Sequence, residues 1–123
     1  MALHNDLGRE GERIAKRYLE DNGYDILDEN WTHGKAEVDL IVYKNGIMVF
    51  VEVKSRSSIA FGEPEEFVHK AKQIQMELAA NAYIDIMNHQ NDIRFDIIAI
   101  IFTKNKNYNY NLNHIEDAFW PED

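Results

Sequence analysis

Cysteine is absent from this chain of 123 residues, which excludes disulfides and thiolate metal sites and suits a reducing compartment. No apolar stretch is long enough to span a bilayer. No charged segment followed by an apolar run opens the chain, so the expectation is a cytoplasmic protein with no membrane partner. Basic charge is scarce as well: 13 Lys and Arg stand against 22 Asp and Glu, a net charge of -9. That balance is the main evidence against a nucleic-acid partner, because most such proteins carry a basic footprint. The five histidines, at 4, 33, 69, 89 and 114, lack metal-ligand spacing and read as surface or core-edge residues. There is no Gly-rich phosphate loop, no serine nucleophile elbow and no internal repeat.

What is present is the make-up of an ordinary globular protein, 45% apolar and 28% charged, of a length that makes one domain, 1–123. Leu7, Gly11, Ile14 and Tyr18 recur at helical spacing, with Gly23 as the stop. Strands are expected at about Tyr24 to Leu27, Glu37 to Tyr43 and Ile47 to Lys54. A polar loop from Ser55 to Gly62 follows. A second helix from about Glu65 to Met87 comes next, with Pro64 at its first turn and Phe67, Ala71, Ile74, Leu78 and Ala82 as its buried stripe. Ile93 to Phe102 is a further apolar strand. Strand, helix, strand from Ile47 to Phe102 is a right-handed crossover between parallel strands. The fold class is therefore α/β, with an α-β-β-β-α-β order. The Asn-rich tract from Asn105 to Asn113, with its alternating Tyr, reads as a loop or a ragged hairpin, and Ile115, Ala118, Phe119 and Trp120 as an apolar patch docking back on the core.

The chemistry gathers around one hairpin. Asn45-Gly46 is a type I′ turn signal, and if Lys44 pairs with Ile47, Asp39 falls opposite Glu52 and Glu37 opposite Lys54, all on one sheet face. Two carboxylates about 5 Å apart repel by about 3 to 4 kcal/mol at an effective dielectric near 20. The run Ile47 to Val53 is apolar except for Glu52, as in a strand covered on both faces, where ionised groups must be paired or metal-bound. A divalent cation answers this, and hard oxygen ligands suit magnesium or manganese. Lys54 could then orient or deprotonate a water, or stabilise charge on a phosphorane. The bland alternative is an exposed face with one Glu–Lys pair.

Other candidates carry less. Arg9, Arg13, Lys16 and Arg17 share a side of the first helix; Arg13 and Arg17 are phosphate-contact candidates, against a merely solvated face. Arg56 could hold phosphate as a bidentate fork. Glu12 stands four residues before Lys16, where an ion pair is the simple reading. Lys72 lies at the edge of its helix's stripe, and Gln75 projects into it. Asp96 sits in an apolar strand with Arg94 as its partner. Trp31 and Trp120 could stack on bases, but packing is the better reading.

Gly11-Glu12, Glu37-Val38-Asp39-Leu40, Val49 through Lys54 with Arg56, Phe61-Gly62 with Pro64, Lys72-Gln73, Arg94-Phe95-Asp96 and His114-Ile115 with Ala118-Phe119 together resemble the YraN family of small bacterial proteins. That family resembles a branch of the PD-(D/E)xK nuclease superfamily near the archaeal Holliday junction resolvases. The resemblance covers nearly the whole chain. It implies a restriction-endonuclease-like α-β-β-β-α-β core, a mixed sheet flanked by helices. It also implies metal ligation by Asp39, Glu52 and the backbone carbonyl of Val53, with Lys54 catalytic, Glu12 as a helical acid, and Lys72 or Gln73 contributed by the second helix. Ala36 stands where the family usually has Gly, and the literal Pro-Asp is missing. The implied activity is magnesium- or manganese-dependent hydrolysis of DNA, including branched DNA, with a homodimer expected by analogy. The competing expectation is a nucleic-acid-binding module or partner subunit with little or no turnover, and a third is a protein adaptor.

Overall fold

The computed structural model describes residues 3–57, 69–103 and 109–120. Helix α1 (Leu3–Asp21) is followed by strands β1 (Asp25–His33), β2 (Ala36–Lys44) and β3 (Ile47–Arg56), helix α2 (Lys70–Met87), and strands β4 (Ile93–Phe102) and β5 (Tyr110–Ile115). One sheet takes the strands in chain order, β1-β2-β3-β4-β5. Only β3 and β4 run parallel, so the crossover through α2 is the one parallel connection in a mixed sheet. The sequence expectation of an α-β-β-β-α-β core holds, and it carries an added edge strand.

Local chemistry sets the element ends. Gly23 (φ 90°) lets the chain leave α1 in a left-handed turn, its N–H bonding Glu20 O while Tyr24 N–H bonds Leu19 O. Asn45 (φ 54°) and Gly46 (φ 82°) close the β2–β3 hairpin, with Lys44 opposite Ile47 as the turn type requires. β3 is buried from both sides: Val49 and Val51 meet Ala15 and Leu19 of α1, whereas Met48 and Phe50 meet Met76, Ala79, Ala80 and Tyr83 of α2. Burying a side chain the size of Phe50 is worth about 2 to 3 kcal/mol, so this doubly covered strand anchors the domain's two cores. Gly11 brings α1 close: a Cβ there would lie 1.9 Å from Ser55 Oγ.

Several boundaries differ from the sequence reading. β1 continues to His33, well past Leu27, because Trp31 packs edge-on against Tyr83 and carries the strand onward. Residues 58–68, with Pro64 and Phe67, lie outside the described residues. The α2 stripe is inverted: Ile74 and Leu78 are 41% and 56% exposed and Ala71 and Gln75 are exposed, while Met76, Ala79, Ala80 and Tyr83 face the sheet. Residues Tyr110 to Asn113 belong to β5, antiparallel to β4, so the tract's hairpin reading holds and the loop reading does not for these four; 104–108 lie outside the described residues. The C-terminal patch docks as expected, Ala118 N–H bonding Phe95 O and Phe119 stacking on Phe95.

Candidate functional site

The β2–β3 ladder stops at Leu40↔Val51, one pair short of Asp39 and Glu52. Beyond it the strands fork. Asp39 Oδ2 accepts the Val53 N–H at 2.8 Å, so the carboxylate replaces the next strand partner. The phase of β2 also changes here: Ala36, Val38 and Ile41 pack on the α2 side, and Leu40 and Val42 on the α1 side. Strict alternation would have put Val38 with Leu40. The expectation that Glu37, Asp39, Glu52 and Lys54 share one face is therefore corrected: Asp39 sits at the phase break, and Glu37 does not pair with Lys54 because the β2–β3 ladder has already ended at Leu40↔Val51.

The fork opens into a cleft of about 570 Å³ lined by Gly8 and Glu12 of α1, Glu37 and Asp39 of β2, Glu52 through Arg56 of β3, Ser57, and Lys72 of α2. Five consecutive β3 residues line it because the cleft lies at the sheet's end, where both faces are reached. Asp39 is 9% and Glu52 4% exposed. Burial first, and Asp39's charge second, push the Glu52 carboxyl up to about 8, although Lys72 and Lys54 pull the other way. Lys54 Nζ and Lys72 Nζ each lie 3.6 Å from a Glu52 oxygen, and Lys72 also donates to Glu37 O at 3.2 Å. Glu52 Oε1 is buried without a hydrogen-bond partner.

Glu12 enters the cleft from the opposite layer. Burial, then the charge on Asp39, raises its pKa, while a hydrogen bond with Asn30 lowers it. Lys16 is not its partner: Lys16 Nζ sits 2.8 Å from Glu29. Asn30 itself has φ 50°. The structure thus brings together Glu12, Asp39, Glu52, Val53, Lys54, Arg56 and Lys72. Arg13 and Arg17 are placed elsewhere, on a separate cleft with Tyr18, Tyr110 and Leu112, and Arg13 pairs with Glu10. Gln73 is half-buried on α2 and is not among the residues lining the acid cleft.

The donor set fits a hard cation. It offers two converging carboxylates, one with a buried oxygen that makes no hydrogen bond, beside the Val53 backbone. Among the described residues no three His, Asp or Glu side chains form a cage, so a cation here would rest on two carboxylates and a backbone oxygen, the rest of its shell being water or phosphate.

A second buried acid was only half legible. Asp96 is fully buried, with Arg94 Nε and Nη2 both 2.8 Å from its oxygens, as expected. Its other partners were missed: His114 Nε2 at 2.7 Å and the Asp117 N–H at 3.0 Å. Arg94 also reaches Tyr24 OH, and His114 Nδ1 lies 3.0 Å from Tyr18 OH. His114 is thus a core-edge residue, one of the two places expected for it, and its pairing with Asp96 was not read from the His114-Ile115 that the family resemblance included.

A mixed sheet between two helices, with its acids at the fork of the second and third strands, defines an α/β protein with a restriction-endonuclease-like core. The chain belongs to the uncharacterised protein family UPF0102, the YraN family, whose model matches residues 11–100. It is 46% identical over 120 residues, 98% of both chains, to UPF0102 protein FP2501 of Flavobacterium psychrophilum. It is also 46% identical to a UPF0102 protein of Christiangramia forsetii and 42% to one of Bacteroides thetaiotaomicron, each over 121 residues and 98% of both chains. No helix among the described residues is long and apolar enough to cross a membrane.

Proposed function

We propose that this protein is a metal-dependent endonuclease that hydrolyses DNA phosphodiester bonds, with branched DNA among its substrates. The observation that carries the reading is the convergence of Asp39, Glu52 and Lys54 at the strand fork, with a buried Glu52 oxygen that makes no hydrogen bond and has only Lys72 Nζ at 3.6 Å. Asp39 and Glu52, with the Val53 carbonyl, would hold magnesium or manganese. Such an ion supplies Lewis-acid polarisation of a phosphate oxygen and a lowered pKa for bound water. Lys54 faces the phosphate and stabilises the charge that builds on its oxygens. Glu12, held protonated further up the pH scale by burial and Asp39, is placed to exchange a proton with water entering from the α1 side. Arg56 at the cleft rim attracts the DNA backbone. Water adds to phosphorus and the P–O bond to the leaving strand breaks, giving a phosphomonoester and a hydroxyl end.

The second reading is a nucleic-acid-binding module with no turnover. It is favoured by Lys54 and Lys72, which already compensate Glu52 without a cation. Cleavage of linear, flapped and four-way DNA, with and without magnesium or manganese, separates the two. Metal-dependent cutting lost in Asp39→Asn supports the enzyme. Binding without cutting of any of these DNAs supports the module.

A further inference from the structure

Helix α2 has two apolar faces, and the sheet covers only one. Met76, Ala79, Ala80 and Tyr83 point into the core. At 100° per residue, Ile74 and Leu78 fall within about 30° of the opposite pole. Ala71 and Ala82 continue this outer row at spacings of three and four. It is regular enough to read as the core stripe from sequence, yet Ile74 and Leu78 are 41% and 56% exposed. An isolated exposed leucine needs no explanation, but a periodic row of aliphatic residues on a helix whose other face is already buried does.

We propose that this outer face of α2 docks a second copy of the same chain, helix against antiparallel helix about a twofold axis. Charge selects the occupant. The chain carries a net -9, so most faces of two copies repel. The outer row is bordered near opposite ends of the helix by a cation, Lys70, and an anion, Asp85, both exposed, and near its middle by the half-buried Glu77. Antiparallel pairing centred between Met76 and Glu77 sets Ala71 opposite Ala82 and brings Ile74 to within one residue, about 1.5 Å along the axis, of Leu78. It also brings Lys70 of each copy toward Asp85 of the other, twice by symmetry. A parallel pairing would oppose Lys70 to Lys70 and Asp85 to Asp85. The two alanines leave room for the helix axes to close to about 8 to 10 Å. Lys72 lies on the sheet-facing side, so the acid cleft stays clear and the inference does not depend on what that cleft does.

Sedimentation equilibrium tests it directly. Wild type should approach twice the 14.4 kDa chain mass as concentration rises, with about 0.5 mM as a sensible ceiling for an interface smaller than the usual ~800 Å² per partner. Leu78→Glu should stay at one chain mass with an unchanged circular dichroism spectrum. Because the chain lacks cysteine, geometry can be read separately. An equimolar mixture of Ala71→Cys and Ala82→Cys should form the mixed disulfide. Ala71→Cys alone should not link to itself, its two copies being about 16 Å apart along the axis. Lys70→Glu should weaken the dimer, and adding Asp85→Lys should restore it. A wild type monomeric throughout, a Leu78→Glu protein that still dimerises, or Ala71→Cys self-linking as fast as the mixture would each overturn the proposal.

Discussion

Replacing Glu52 by Gln tests the electrostatics of the fork. In the folded protein burial and Asp39 push the Glu52 carboxyl from 4.5 up to about 8. Between those values the native state holds a proton that the unfolded chain has released. Stability must therefore fall as pH rises from about 4.5 to about 8, and level off above. One pKa unit is worth about 1.4 kcal/mol, so the full shift sets a ceiling of about 5 kcal/mol on the loss, a large part of a total stability of about 5 to 15 kcal/mol. Glutamine has nearly the same shape and never ionises. Glu52→Gln should match wild type to within about 1 kcal/mol at pH 5, and exceed it by a few kcal/mol, up to that ceiling, at pH 8.5. Urea denaturation of both proteins at half-unit steps from pH 5 to 9 measures this, and the difference between the curves removes the titration of other groups. A difference that is flat with pH, or a variant less stable at pH 8.5, would refute the argument that Glu52 is a strained carboxylate.

Manganese binding at pH 7 should release nearly one proton from wild type and raise its melting temperature; calorimetry in buffers of different ionisation enthalpy reads the first, and Asp39→Asn should abolish both. In a cleavage assay Lys54→Ala should lower the rate by about 10² or more. Arg56→Ala should weaken DNA binding and reduce its salt slope by about one unit, whereas Arg17→Ala, on the separate cleft, should leave the slope unchanged. Gly11→Ala should change stability by no more than about 1 kcal/mol, because the atom a methyl meets first, the Ser55 Oγ, makes no hydrogen bond and can rotate away. Asp96→Asn should cost about 3 to 5 kcal/mol, since it removes the buried carboxylate that Arg94 pairs with and leaves Arg94 only one carboxylate, the exposed Glu116 at 3.6 Å. Burial alone would raise the Asp96 pKa, but His114, Arg94 and the Asp117 N–H hold it below the ordinary value. Its contribution is therefore present at neutral pH and lost as pH falls through that lowered pKa, which acid titration of the two proteins will show.

The helix and strand order was readable because periodicity, Gly23 and Asn45-Gly46 report local geometry, and local geometry set those elements. β4 was found to the residue, since ten apolar-rich positions leave few alternatives. What escaped depends on partners distant in sequence. The phase change at Asp39 is invisible in Val38-Asp39-Leu40-Ile41-Val42, where apolar residues occupy both parities. β5 carries too many Asn residues to announce itself and exists because β4 offers an edge. The α2 stripe failed for a different reason: two rows satisfy the same period, and only the sheet decides which is inside. At the site, the hairpin register predicted the meeting of Asp39 and Glu52. That Glu12 joins them from the other layer followed from the resemblance, not from spacing.

Strands adjacent in the sheet are adjacent in the chain throughout, and that has a bearing on how the protein is made. α1 and the β1–β2–β3 meander close through short local loops, which is the inexpensive part of a folding reaction. The pairing of β3 with β4 has to wait for the long crossover. Asp39 and Glu52 are thus brought together by the first half of the chain, while Lys72 arrives only with the second. A nascent chain paused near residue 57 would hold the acid pair with Lys54 as its sole nearby ammonium, so folding of such a truncated chain should be more sensitive to pH and divalent salt than that of the finished protein, in which α2 brings Lys72 to Glu52.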